Sequence, residues 1–264
     1  MTGRKNSSVG RRQLLGTAIA AAGLTFVKSR SVAGTQANST IELGIIGSGR
    51  RGTWIGKLFQ KDGRYRIVAL ADVFDDQLAA ARGELSVDAA RCHKGMEAYK
   101  ELLNSKLDAV AIESPPYCHA EQAAAAVEAG KHVYLAKPVA TDVPGSRLVM
   151  EAGKKAAGRL SFWVDFQSRV TDNFMEAGKR VADGAIGKPF SGQACYYCGA
   201  IPYKGDITKK DPETRMRNWI HDTALSGDII VEQNIHATDV ADWYLGGHAL
   251  KAFGTGGRKV RTEY

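Results

Sequence analysis

Cysteine is scarce in this sequence, with four in 264 residues, at Cys92, Cys118, Cys195 and Cys198. The last two form the segment CYYC, which lies in a stretch predicted as a strand (residues 190–200). Residues i and i+3 of a strand point to opposite faces and lie about 10 Å apart, beyond the roughly 7 Å limit between the Cα atoms of a disulfide. We therefore interpret CYYC as structural rather than as a redox or metal pair, and we expect no disulfide framework.

A long apolar run is lacking at the amino terminus. The run at residues 14–27 is about 14 residues long, whereas a membrane-spanning helix needs roughly 20. It follows Arg11-Arg12 and precedes a small-residue site at 31–33, and residues 1–33 contain no acid. This pattern predicts a cleaved signal peptide, residues 1–33, for the twin-arginine export route, with a membrane anchor or a disordered tail as the alternatives. We expect a periplasmic or secreted protein that keeps no stable membrane anchor.

The net charge of the residues after the predicted signal peptide is small. The chain carries a formal charge of +8, of which +6 belongs to residues 1–33, so the mature part carries +2. No basic stripe is interleaved with aromatic residues, as nucleic-acid-binding surfaces require. We therefore expect no nucleic-acid partner.

From residue 38 onward, apolar strand-like runs alternate with helical segments. Strands are predicted at 41–46, 65–72, 107–114, 131–136 and 160–166, with helices at 53–60, 75–85, 96–105, 117–130 and 144–157. Such alternation predicts a parallel sheet with helices on both faces. Later segments predict a helix at 171–187, a strand at 190–200, a loop at 202–219, a helix at 229–245 and a strand at 251–264. We therefore predict an α/β domain at 38–158 and a partial α+β domain at 159–264.

A glycine-rich motif follows the first predicted strand. It consists of Gly47, Ser48, Gly49, Arg50, Arg51 and Gly52, and Asp72 ends the next strand 20 residues later. A G-x-G-x-x-G turn between a strand and a helix lets the backbone approach a pyrophosphate, which the helix N-terminus binds. An acid at the position of Asp72 accepts hydrogen bonds from the ribose hydroxyls and repels a 2′-phosphate. The motif predicts a Rossmann fold, a doubly wound parallel sheet, that binds NAD; NADP is the alternative if Arg50 or Arg51 turns to the 2′-phosphate.

One apolar strand is followed by a cation. The segment HVYLA precedes Lys137 and Pro138, and ligands of such sheets bind at the carboxyl ends of the strands. Pro138 restricts Lys137 to extended backbone geometry. Lys137 is therefore a candidate site residue, with a solvated surface lysine as the alternative.

A histidine lies between two acids in a predicted helix. Glu232, His236 and Asp239 are spaced by four and three residues, which places them on one face of a continuous helix. A neighbouring carboxylate can fix the tautomer of an imidazole and raise its basicity, as a general base needs. Glu232 and His236 could also ligate a metal, but no third ligand stands at a convincing spacing, and we predict no metal site.

Together these motifs resemble the glucose–fructose oxidoreductase/inositol dehydrogenase (Gfo/Idh/MocA) family. The matching segments are GIIGSGRRG, ADVFDD, SPPYCH, AKP and SGDIIVEQNIHATD, in that order. The resemblance implies a Rossmann domain that carries NAD(P), followed by an α+β domain whose open sheet holds the substrate and often makes the subunit contact, hence a homo-oligomer at full length. Exported twin-arginine members occur in this group, in agreement with the signal.

Residue roles and a reaction come from this resemblance. It implies that Lys137 is the catalytic lysine, that His236 is the general acid/base, and that Glu232 takes the place of an aspartate. It also implies cofactor contacts for part of SPPYCH and for the lysine, namely Ser114, Pro115, His119 and Lys137. The implied reaction is hydride transfer between a hydroxyl carbon of a sugar or polyol and nicotinamide.

Three departures from the family pattern bear on this reading. Ala136 replaces the glutamate of the family's E-K-P, and Glu232 and Asn234 replace an aspartate and a glycine. The chain ends at Tyr264, about a hundred residues earlier than members usually do, so we expect an incomplete second domain. Two other functions stay open, which are NAD-assisted glycoside cleavage without net redox and nucleotide binding by an inactive, truncated member.

Overall fold

A six-stranded parallel sheet organises the first part of the chain. The computed structural model describes residues 40–206 and 208–257, so the predicted signal peptide lies outside the described residues. The elements in chain order are β1 (Ile41–Ile46), α1 (Arg50–Asp62), β2 (Tyr65–Asp72), α2 (Asp75–Leu85), β3 (Cys92–Lys94), α3 (Ala98–Asn104), β4 (Ala109–Ile112), α4 (His119–Glu128), β5 (His132–Ala136), α5 (Val143–Ala156) and β6 (Phe162–Asp165). All neighbouring strands are parallel, in the order β3-β2-β1-β4-β5-β6. This is the strand order of a dinucleotide-binding, doubly wound sheet.

Two apolar layers hold helices against the two faces of this sheet. Consecutive strand residues point to opposite faces, and β1 shows the consequence. Ile45 belongs to a buried cluster with Ile55 of α1, whereas Ile46 belongs to another with Leu102 of α3 and Val127 of α4. Both faces of the sheet are therefore occupied by packing, which leaves the carboxyl ends of the strands for ligands.

The predicted strands and helices of this part are confirmed, with shorter bounds for several strands. The sequence missed β3, since three residues are too few to show a strand pattern. β6 pairs with β5 and places Asp165 beside Ala136. The sheet therefore includes β6 and extends beyond residue 158.

Helices and irregular segments follow the sheet. The α-helices are α6 (Asp172–Ala182), α7 (Pro212–Arg217), α8 (Thr223–Ser226), α9 (Asp228–Glu232) and α10 (Ile235–Leu245). The predicted loop at 202–219 thus contains α7. No helix within the described ranges is long and apolar enough to cross a membrane.

The strand predicted at 190–200 is wrong. This segment has no regular secondary structure and is almost entirely exposed, because no strand in the described part of the chain lies beside it to supply hydrogen bonds. Residues 251–257 are also irregular, and the rest of that predicted strand lies outside the described residues. The second, open sheet is therefore not present in residues 166–206 and 208–257. The four cysteines are unpaired, and Cys195 and Cys198 are exposed on this irregular segment.

The helix predicted at 229–245 is divided in two. In a continuous helix the carbonyl of Glu232 would accept a hydrogen bond from the N–H of His236. Here Lys137 Nζ donates to that carbonyl at 2.5 Å, and the His236 N–H turns to the carbonyl of Gln233 at 3.3 Å. The lysine thus takes the acceptor that helix continuation would need, and Glu232 and His236 do not lie on one continuous helix.

Candidate functional site

A cavity of about 680 Å³ lies at the carboxyl ends of the strands. Its wall contains most residues predicted for the site, namely Gly47, Gly49, Arg50, Arg51, Gly52, Asp72, Ser114, Pro115, His119, Lys137 and Glu232. Parallel strands end at one edge of a sheet, so residues far apart in sequence meet there. Ser48 and His236 are the two predicted residues that do not line this cavity.

The glycine turn fits a dinucleotide phosphate. Gly47 has a φ of +86°, and a Cβ at this position would overlap the backbone nitrogen of Ser114. A Cβ at Gly52 would overlap the carbonyl oxygen of Gly47. The backbone therefore passes close to β4 and then enters α1, whose first-turn N–H groups are free to bind an anion.

Asp72 is held in place at the end of β2. Its Oδ1 accepts a hydrogen bond from the N–H of Phe74 at 2.9 Å, and its Oδ2 accepts one from the Ser48 hydroxyl at 3.4 Å. Burial raises the pKa of the Asp72 carboxyl, while these hydrogen bonds oppose the rise. Ser48 is buried and its carbonyl accepts from the Thr53 hydroxyl at 3.0 Å, so Ser48 supports the turn and Asp72 rather than facing the cavity.

His119 joins two parts of the cavity wall. Its Nδ1 lies 2.6 Å from the carbonyl oxygen of Pro138, and its Nε2 lies 2.7 Å from that of Ser114. Burial lowers the pKa of the imidazole to about 4, although both carbonyls favour the protonated ring. The predicted cofactor residue His119 therefore ties the turn after β4 to the segment that carries Lys137.

Lys137 and Glu232 form a largely buried ion pair in the cavity wall. Besides the carbonyl of Glu232, Lys137 Nζ contacts Glu232 Oε1 at 2.9 Å, and the two side chains are 14% and 10% exposed. Burial raises the pKa of the Glu232 carboxyl, and the lysine opposes this rise. Glu232 Oε2 is buried with no hydrogen-bond partner among the described residues. The pair thus combines a fixed cation with an acceptor atom that a ligand could use.

His236 lies behind this pair. Tyr196 stacks on its ring with centroids 4.9 Å apart, and Phe166 meets it edge-on at 6.4 Å. Its Nδ1 is buried and unpartnered within the described ranges. Burial lowers the pKa of His236, and the Lys137 cation lowers it further.

The flanking carboxylates do not act on His236 as the sequence predicted. Glu232 pairs with Lys137, and both oxygens of Asp239 accept from Arg169 at 2.9–3.2 Å. Burial and the Lys137 cation lower the pKa of His236 by more than the Asp239 carboxylate raises it, so the basicity of His236 falls instead of rising. In the part of the chain that the structure describes, no cluster of three or more His, Cys, Asp or Glu side chains could hold a metal ion.

Glu113 is a buried acid in the wall that the sequence motifs did not predict. It follows β4, its side chain is fully buried, and its Oε2 accepts from Arg51 Nε at 2.9 Å. The same guanidinium also pairs with Asp165, so Arg51 is directed to the ends of β4 and β6 and not to Asp72. Burial raises the pKa of Glu113 to about 7, with Arg51 opposing the rise. A charged residue directly after an apolar strand is the signal that singled out Lys137. The same signal could have identified Glu113.

Comparison with known proteins agrees with this geometry. Residues 41–165 match GFO_IDH_MocA, described as an oxidoreductase family with an NAD-binding Rossmann fold. Myo-inositol 2-dehydrogenase of Thermotoga maritima is 27% identical over 227 residues, which cover 84% of this chain and 60% of the relative. Inositol 2-dehydrogenase 3 of Saccharopolyspora erythraea is 31% identical over 198 residues, covering 72% of this chain and 57% of the relative.

A solved structure shows the same similarity in three dimensions. Scyllo-inositol dehydrogenase from Lactobacillus casei, with bound NAD(H) and scyllo-inositol, superposes with a TM-score of 0.58 at 27% identity, covering 78% of this chain and 56% of that one. The chain thus spans less than two thirds of the length of the relatives it matches. Residues 41–165 form an NAD-binding Rossmann domain of the Gfo/Idh/MocA oxidoreductase family.

Proposed function

We propose that this protein is an NAD-dependent dehydrogenase that oxidises a secondary hydroxyl of a polyol or sugar. The observation that carries the proposal is the Lys137–Glu232 pair in the wall of the NAD cavity, with His236 behind it. Oxidation of CH–OH to C=O removes the hydroxyl proton and a hydride from carbon. NAD held in the cavity would supply the hydride acceptor, and the chain's own residues handle the proton and the developing charge on oxygen.

Lys137 is assigned to the substrate oxygen. An ammonium group has three N–H donors, and Glu232 occupies two of them through its carbonyl and Oε1. The third donor is left for a substrate hydroxyl, whose oxygen becomes negative as its proton leaves. A cation fixed in advance at this position stabilises that charge without reorganisation.

His236 is assigned to the proton. Its lowered pKa keeps the imidazole neutral near pH 7, which is the form that accepts a proton. Nδ1 is the atom with no partner among residues 40–206 and 208–257, so we assign the transfer to Nδ1. Because Tyr196 covers one face of the ring, we expect the Tyr196 side chain to move when substrate binds.

Two further features support the choice of cofactor and substrate. Asp72 supports NAD over NADP, because a carboxylate at the ribose repels a 2′-phosphate, and Arg51 is held away from it by Glu113 and Asp165. We place the substrate hydroxyl in the first cavity beside Lys137 and Glu232, since a second cavity of about 330 Å³ shares Glu232 and Ile220 with it but is not lined by Lys137. The relatives named above are inositol dehydrogenases, which supports a neutral polyol as the substrate class.

The proposal is tested with Lys137→Met and His236→Asn in the full chain. NADH formation is measured on a panel of inositols and neutral sugars, and the affinities for NADH and NADPH are measured by fluorescence titration. We expect each variant to lose roughly a hundredfold or more in turnover, to retain its NADH affinity, and to prefer NADH over NADPH. Lys154→Met is the matched control, since Lys154 is an exposed lysine that is also paired with a glutamate.

Unchanged turnover in Lys137→Met would contradict the site assignment. Glycoside cleavage without accumulation of NADH would indicate the reaction with no net redox. Tight NADH binding with no turnover on any compound would indicate a nucleotide-binding protein without dehydrogenase activity.

A further inference from the structure

Part of the wall of the NAD cavity lies outside the Rossmann domain. Lys204 and residues of the segment 208–220 line the cavity together with Asp72 and Phe74; those of the segment are Met216, Arg217, Trp219 and Ile220. This segment follows β6 in the chain and includes α7. The family match ends at residue 165, so nothing in that match assigns a role to it.

Arg217 connects this segment to the end of β2. Its guanidinium carbon lies 3.9 Å from the ring centroid of Phe74, and its two terminal nitrogens donate to the carboxylate of Asp76 at 3.0 and 3.1 Å. Phe74 is the residue whose N–H holds the Asp72 carboxylate. The contact therefore lies beside the acid that binds the adenosine ribose in this type of sheet.

The charges around Arg217 indicate what this part of the wall can receive. Besides Asp76, Glu213 Oε1 accepts from Arg217 Nε at 2.9 Å, so two carboxylates neutralise the guanidinium. A neutralised guanidinium attracts a phosphate weakly, whereas the neighbouring Met216 and Trp219 offer apolar surface. Such a wall suits an uncharged ribose and an adenine ring.

We propose that the segment 208–220 is part of the NAD site and covers the adenosine half of the cofactor, with Arg217 as the positioning residue that holds the segment against the end of β2. Arg217 acts through Phe74 and Asp76 and holds Met216 and Trp219 against the ligand. The inference rests on NAD binding, which the proposed function also requires.

The test measures binding and not turnover. NADH and ADP-ribose, which share the adenosine half, are titrated by calorimetry into the full chain and into Arg217→Ala and Asp76→Asn. We expect Arg217→Ala to lower the affinity for both ligands by the same factor, about tenfold. This is the order expected for the loss of a cation–π contact combined with an ion pair. Asp76→Asn leaves the contact between Arg217 and Phe74 in place, so it should lower the affinity for both ligands by a smaller factor.

Arg180→Ala is the matched control. Arg180 lies on α6, away from the cavity wall, and pairs with Glu176 at 2.7 Å, so its removal should leave both affinities unchanged. Thermal melting of each variant shows whether the fold is retained.

Each outcome bears on one of the two proposals. If Arg217→Ala binds both ligands as the wild type does, the segment is not part of the site and the inference is wrong. A lower affinity for NADH with an unchanged affinity for ADP-ribose also overturns the inference, because the effect would then lie at the nicotinamide half. A wild-type chain that binds neither ligand instead contradicts the proposed function.

Discussion

Replacing His119 with glutamine should remove a pH dependence from the stability of the fold. The His119 ring is buried between the carbonyl oxygens of Pro138 and Ser114. Burial lowers its pKa from the ordinary value of 6.5 to about 4. Between these two pH values the folded state holds a neutral ring, whereas the unfolded chain binds a proton.

The size and sign of the effect follow from this difference. At about 1.36 kcal/mol per pH unit, the interval between pH 6.5 and about pH 4 corresponds to about 3 kcal/mol. Because the unfolded state binds more protons, this contribution of His119 is present above pH 6.5 and is lost as the pH falls to about 4. A net stability of about 5–15 kcal/mol is typical of a domain, so the loss is measurable.

Urea unfolding of the full chain at a series of pH values from about 7 to about 4.5 provides the assay. The difference in free energy of unfolding between the wild type and His119→Gln should shrink by most of that amount as the pH falls, because glutamine does not titrate. His248→Gln is the control, since the His248 side chain is 94% exposed, and its profile should follow the wild type. Parallel profiles for His119→Gln would refute the reasoning. An opposite slope would show that the ring is protonated and donates to both carbonyls.

Two further predictions concern Glu113 and the amino terminus. The pKa of Glu113 rises from 4.5 to about 7 on folding, so its stabilising contribution is complete below pH 4.5 and is lost as the pH rises through 7. Glu113→Gln should therefore gain about 3 kcal/mol relative to the wild type between pH 4.5 and pH 8, measured by urea unfolding; equal profiles would show that Arg51 outweighs burial and keeps the carboxylate ionised at all these pH values. Replacement of Arg11 and Arg12 by lysines keeps the charge but removes the arginine pair, so we expect the precursor to stay in the cytoplasm, as measured by cell fractionation; unchanged export would contradict the twin-arginine route.

Local sequence patterns predicted the sheet well. β1 and β2 have the predicted bounds, because an apolar run that ends at a glycine turn, as in β1, or at an acid, as in β2, is a signal that neighbouring residues carry in full. The predictions that were wrong, at residues 190–200 and in the helix at 229–245, depend on partners distant in sequence. A strand needs a neighbouring strand to pair with, and the helix is interrupted where Lys137 takes a helical carbonyl.

The site shows the same division. The sequence by itself predicted that the glycine turn, Asp72 and Lys137 lie at one edge of the sheet, since each stands at the end of a strand whose apolar pattern is local, and the carboxyl ends of parallel strands meet by topology. Only the tertiary structure decided that Glu232 pairs with Lys137, that burial lowers the pKa of His236, and that Arg217 reaches the end of β2. These last features depend on burial and on distances between distant segments, which no local pattern of residues encodes.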